Sequence, residues 1–114
     1  VFEPRHETWF TDEVETVLRS HRIARVAADP ARVPQASVPG GDDSVAYWRL
    51  HGSPRIYYSA YTPDVLESIA RVIEEKVAQR IATWCIFDNT ALGAATTDAL
   101  TVKSHLLDSQ RVTQ

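Results

Sequence analysis

Hydrophobic positions along the chain switch between two rhythms, alternation over short runs and a 3.6-residue period over longer ones. Val1 to His6 reads as a short strand and is followed by a Trp9-Phe10 loop. Thr11-Asp12-Glu13 then supplies a cap residue and first-turn acids, which suit the positive end of a helix dipole. Val14, Val17 and Leu18 are expected to face the core from that helix, which ends near Arg19, His21 and Arg22. Ile23 to Ala28 predicts a second strand, stopped by Asp29-Pro30, because the residue before a proline is pushed out of helical geometry. The stretch from Pro30 to Asp43 holds Pro34, Pro39, Gly40 and Gly41 and no period. It predicts a long loop without a full helix, of the kind that is either functional or disordered.

Val45 to His51 predicts a third strand, and Gly52 to Tyr61 an aromatic-rich loop. Thr62-Pro63-Asp64 opens the clearest helix, with proline at its first position. Leu66, Ile69, Ala70, Ile73, Val77 and Ile81 follow the helical period, while Glu67, Arg71, Glu74, Glu75 and Lys76 fill the other face. Thr83 to Phe87 predicts a fourth strand and Asp88 to Ala95 a loop containing Gly93. Thr97-Asp98 is read as opening a last helix with Leu100, Leu106 and Leu107. Strands alternating with amphipathic helices imply an α/β domain with a parallel sheet. A TIM-type barrel and a doubly wound sheet both satisfy that order. No GxGxxG or GxxxxGK[ST] follows any strand, which weakens a dinucleotide or P-loop reading.

The 114 residues, 44% hydrophobic and 24% charged, are those of one ordinary globular domain. Four strands cannot close an eight-stranded barrel, which takes about 250 residues. The chain also opens on Val1 inside an apolar stretch, so residues 1–114 read as a partial domain, with a long loop over 30–44 inside it. A net charge of -3 offers no field for nucleic acid or an anionic membrane. A single Cys85 excludes an intramolecular disulfide and a CxxC metal motif. No apolar run reaches the roughly 20 residues that span a bilayer, and no signal-peptide pattern is present. A cytoplasmic protein is expected.

Alternate side chains of a strand share a face. On the third strand Ala46, Trp48 and Leu50 form an apolar set suited to helix packing, and Tyr47, Arg49 and His51 the opposite, polar set. The first strand offers Glu3 and Arg5, the second Ala27 and Asp29, the fourth Cys85, Phe87 and Asn89, each with a polar member towards its C-terminal end. These ends coincide in a parallel sheet, so Glu3, Arg5, Asp29, Arg49, His51 and Asn89 are expected to meet at the mouth where ligands bind in barrels and open α/β sheets. The bland alternative is a structural network of cancelling charges. As a site, the cluster fits a small anionic, phosphorylated or sugar-like ligand held by Arg5, Arg49 and Asn89. His51 would then transfer protons with Glu3 or Asp29.

Arg55, and Tyr58 in the loop of tyrosines 57, 58 and 61, are further ligand-binding candidates, able to hold an anion or stack on a sugar or base. Glu3, Asp29 and His51 could ligate a divalent metal, but Arg5 and Arg49 oppose one, so no cofactor is expected. Cys85 reads as a small core residue, Trp9 as packing, His21 as a helix-end residue and His6 as a possible site member. A metal-dependent phosphodiesterase or nuclease, and a non-catalytic ligand-binding or assembly module, stand as alternative functions. Exposed strand edges would favour self-association or pairing with further strands.

Four stretches carry a family resemblance: Val-Phe-Glu-Pro-Arg-His-Glu-Thr-Trp-Phe (1–10), Val-Ala-Ala-Asp-Pro (26–30), Tyr-Trp-Arg-Leu-His-Gly (47–52) and Cys-Ile-Phe-Asp-Asn-Thr (85–90). In this order they resemble the YecE-like family, domain of unknown function seventy-two. The resemblance implies a TIM-type (β/α) barrel, of which this chain is the last four strands, fifth to eighth, with their helices. It leaves the activity open.

Overall fold

A computed structural model describes residues 1–113 as a mixed α/β fold built on parallel strands. After a single 3-10 turn at Glu7–Trp9, helix α1 spans Asp12–Ser20. Thr11 caps α1 by accepting a hydrogen bond from Val14 N, and His21 forms its C-cap, both as the pattern predicts. Of the residues expected to face the core, only Leu18 is buried; Val17 is 55% exposed. The second predicted strand splits into β1 (Ala24–Arg25) and β2 (Ala27–Asp29). The first reduces to one parallel bridge, Phe2 to Arg25, closed by hydrogen bonds from Phe2 N to Ala24 O and from Val26 N to Phe2 O. Trp9 packs on Phe2, ring centroids 4.9 Å apart.

The loop from Pro30 to Asp43 contains a 3-10 turn at Pro34–Ser37 and a two-residue strand β3 (Gly40–Gly41), antiparallel to β1. Its order comes from Arg25, which is buried on β1. The Arg25 guanidinium donates to the carbonyls of Gln35 and Val38, lies 3.7 Å from Glu15, and stacks over the Phe10 ring. A Cβ on Gly40 would collide with that guanidinium, which would have to move from its carbonyl contacts to make room.

Strand β4 (Val45–Leu50) lies between β2 and β5 (Ala82–Phe87), and all three run parallel. These three strands stand in chain order, β2, β4, β5, while β1 pairs with β3 and with the Phe2 bridge. Helix α2 (Pro63–Ala78), capped by Thr62 through Val65 N, and helix α3 (Ala94–Thr113) pack against each other and against β5. The core gathers Ala27, Ala46, Trp48 and Leu50 from the strands, Leu66, Ala70 and Ile73 from α2, Val102 from α3, and Tyr61. Ala46, Trp48 and Leu50 thus form the helix-facing set that alternation predicts. Val77, expected in the core, is half-exposed.

Helix α3 starts three residues before the predicted Thr97-Asp98, straight after Gly93, whose positive φ (82°) turns the chain into it. Thr97 and Asp98 therefore lie inside the helix rather than capping it. Leu100 and Leu107 are exposed, whereas Ala95, Asp98 and Val102 are buried and Leu106 packs, partly buried, against the core. Among the described residues, no helix is long and apolar enough to cross a membrane.

Candidate functional site

In parallel strands, residues paired in register point to the same side of the sheet. Trp48 pairs with Ala27 on one side and Cys85 on the other, and Leu50 with Asp29 and Phe87. Asp29, Cys85 and Phe87 therefore share the helix-facing side. Ala28 and Ile86 flank Arg49, and Trp84 flanks Tyr47, on the opposite face. Continuing β5 by one step brings Asp88, not Asn89, beside His51; Asp88 N donates to Leu50 O to hold that extension.

His51 is 2% exposed. Its Nδ1 lies 2.8 Å from Asp88 Oδ2 and 2.7 Å from Oδ1, and its Nε2 lies 3.1 Å from Glu3 Oε2. Arg49 donates to both of the same carboxylates, to Glu3 Oε1 at 3.3 Å and to Asp88 Oδ2 at 2.8 Å. Burial opposes the charge of Arg49, but Glu3 and the hydrogen bond to Asp88 outweigh it and raise its pKa further, so it stays a cation. Arg5, largely exposed, lies 3.4 Å from Glu3 Oε2. A carboxylate only accepts, and a neutral imidazole has one N–H for two acceptor contacts.

The structure thus brings together Glu3, Arg5, Arg49 and His51 as expected, and separates Asp29 and Asn89 from them. Asp29 accepts a hydrogen bond from the Tyr61 hydroxyl at 2.7 Å on the helix side. Tyr61 OH in turn accepts from Gly52 N at 2.9 Å, and burial followed by the bond to Asp29 pushes the phenol's pKa well above its ordinary range. Asn89, fully buried, donates from Nδ2 to Ser59 O at 3.0 Å and to Asp98 Oδ2 at 2.8 Å. Asp98 also accepts from Tyr61 N at 3.1 Å. Gly52, at φ +100° with Asn89, Ser59 and Arg55 crowding its missing Cβ, lets the loop leave β4 between these contacts. This second network ties the loop 52–61 and α3 to the strand ends.

A cavity of about 190 Å³ lies over the first cluster, its polar lining being Glu3, Arg5, Arg32 and His51. Phe10, Val26 and Ile56 contribute apolar wall. A larger apolar groove of about 590 Å³ on the helix side, bordered by Val38, Trp48, Val65 and Val72, contains none of the charged cluster. Size does not decide between them, since convergent ionisable groups mark a site better than volume does. Arg55 stacks over Tyr58 at 3.9 Å, and neither lines the smaller cavity. Tyr57 does approach the cluster, its ring edge-on to His51 at 5.9 Å. His6 is exposed and caps the 3-10 turn through Thr8 N. The trio Glu3, Asp29 and His51 that a metal would need is not gathered, because Asp29 is on the other face. Among the described residues, no group of three or more His, Cys, Asp or Glu side chains could hold a metal ion.

Sequence reasoning missed Asp88 and Arg32. Asp88 had a usable signal: Arg49 and His51 on one strand require an acid on the next, and Trp84, Ile86 and Asp88 form the alternate set that supplies it.

The fold and the cluster define a class, a parallel α/β domain with ionisable residues gathered at the C-terminal ends of its strands. The model of the family described as "Protein of unknown function DUF72" matches residues 1–114, and the chain belongs to that family. It is similar to a DUF72 family protein from Thermotoga maritima MSB8, with a TM-score of 0.72 and 27% identity over 90% of this chain and 44% of that one. It is also similar in fold to a DUF72 family protein from Enterococcus faecalis V583, with a TM-score of 0.71 and 18% identity over 91% of this chain and 47% of that one. The chain spans a little under half the length of these relatives. No curated protein matches it.

Proposed function

We propose that the chain forms part of a TIM-type barrel, and that Glu3, Arg49, His51 and Asp88 are the proton-handling floor of a site for a small anionic, phosphorylated or sugar-like metabolite. Chain-order parallel strands with α2 and α3 against one face support the barrel, since a doubly wound sheet reverses its strand order and places helices on both faces. The other face carries Tyr47, Arg49 and Trp84, and Trp84 is 55% exposed. In this reading further strands cover that face. The relatives' greater length supports the same view.

The observation that carries the site is a buried histidine with a carboxylate on each ring nitrogen at the C-terminal ends of the strands. An imidazole held by a carboxylate on each side is suited to general acid–base chemistry on a bound ligand. The test is a thermal-shift panel of phosphorylated metabolites, sugars, nucleotides and metals on the full-length protein and its His51→Gln variant. An anionic or polyhydroxylated ligand should raise the melting temperature of the parent, because a ligand that binds only the native state stabilises it. His51→Gln should remove that shift. A shift retained in the variant would overturn the site.

A further inference from the structure

Resting on that reading, we infer that Arg32 and Arg5 form the anion-binding rim of the cavity, and that the ligand carries one phosphate or carboxylate at its outer end and hydroxyl groups at its inner end. Four arginines lie near this end of the sheet, and their contacts separate them. Arg49 is committed to Glu3 and Asp88. Arg55 is stacked on Tyr58 away from the cavity. Arg5, whose guanidinium is largely exposed, has one ion pair, to Glu3 at 3.4 Å. Arg32 is exposed, lines the cavity, and has no hydrogen-bond or ion-pair partner among the described residues.

The floor has the opposite character. Glu3 presents carboxylate oxygens that are already shared among Arg49, His51 and Arg5, and its side chain is only 10% exposed. An anionic group pushed to the floor would meet that carboxylate, whereas a hydroxyl can donate to it or exchange a proton with His51. The field therefore orients a ligand, anion outwards against the guanidiniums and hydroxyls inwards. A volume of about 190 Å³ is that of roughly six water molecules at about 30 Å³ each. This suits a three- or four-carbon polyol chain whose anionic group stays at the rim.

The experiment is calorimetric titration of the full-length protein with glycerol 3-phosphate, glycerate, glycerol and inorganic phosphate, repeated on Arg32→Gln and His51→Gln. One or both polyol anions should bind at least tenfold more tightly than glycerol or inorganic phosphate, and the better of the two identifies phosphate or carboxylate as the natural head group. Arg32→Gln should weaken that binding about tenfold, the loss expected for one charge-assisted contact, with an unchanged melting temperature because Arg32 has no partner to lose. Glycerol binding as tightly as its phosphate ester, undiminished binding by Arg32→Gln, or no binding of either polyol anion each overturns the rim assignment, and leaves the site at His51 to its own panel. Binding lost in Arg32→Gln but indifferent to His51→Gln would instead overturn the floor.

Discussion

Two polar networks meet at the same end of the sheet, one on each face, and they satisfy their carboxylates differently. On the face away from the helices, Glu3 and Asp88 are balanced by Arg49 and share His51. On the helix face, Asp29 and Asp98 have no cation among the described residues and accept from a phenol, a backbone N–H and an amide. Fixed neutral donors make a tie, because none of them can leave or change charge near neutrality. In the proposed reading, the imidazole between two carboxylates and the exposed guanidiniums beyond it make a place where a ligand can be exchanged. The tie also serves the exchange: Gly52 N is held by Tyr61 OH, and His51 N donates to Asp29 O, so the helix-side network grips the backbone of the histidine from behind.

The largest effect expected from breaking this arrangement is at Asp98. Asp98→Ala would leave Tyr61 N buried without an acceptor, at about 1–3 kcal/mol, and would remove one of the two acceptors of Asn89 Nδ2, Ser59 O remaining, at about 1 kcal/mol. A total loss of roughly 2–4 kcal/mol should appear as a lower urea midpoint with an unchanged slope. Asp88→Asn should cost less, about 1 kcal/mol, since Asp88 is partly exposed and Arg49 keeps Glu3. If Asp88→Asn proved the more damaging, the charged cluster would be the structural tie and the comparison would be reversed.

A smaller effect, with a pH signature, is expected at Tyr61. Tyr61→Phe removes the hydroxyl between Asp29 and Gly52 N and should cost about 1–2 kcal/mol at neutral pH. The native state raises the phenol's pKa, by burial first and then by the bond to Asp29. Its contribution is therefore fully present below the unfolded value near 10 and is lost as pH rises above it, because the unfolded state then releases a proton that the folded state retains. Denaturation of the parent and Tyr61→Phe between about pH 8 and 11 should show a steeper alkaline loss in the parent. Parallel curves would mean that the phenol is not held as the geometry describes.

Local chemistry was the legible part of this fold. Thr11 and Thr62 declared their helices because a cap acts within one turn, and the alternation of Ala46, Trp48 and Leu50 sorted β4 into its two faces without knowledge of neighbours. Register was not legible. Ala27 and Asp29 plainly share a face, but which face depends on how β2 aligns with β4, and a one-residue difference exchanges the two sides. The same ambiguity put Asn89 in place of Asp88. The long loop was opaque for another reason: Arg25 orders it through carbonyls of Gln35 and Val38, and such backbone acceptors leave no mark in composition.

The smallest perturbation bears on the same contrast through Cys85. Its register partner Trp48 places it on the helix face, and burial raises its thiol to about 12 from an ordinary 9.0. The thiolate is the reactive form, so alkylation of native protein at pH 8 should be slower than that of an unfolded control by roughly a thousandfold. Cys85→Ala should scarcely alter neutral-pH ligand binding, because the thiol touches neither polar network. It should flatten what remains of the alkaline loss in Tyr61→Phe between about pH 9 and 12, since the proton that Cys85 retains in the folded state is given up in the unfolded one. Rapid native alkylation would show that the helix face of β5 admits water and reagent at Cys85, and the contrast between the fixed helix-side network and the proposed site on the other face would then fail at this strand.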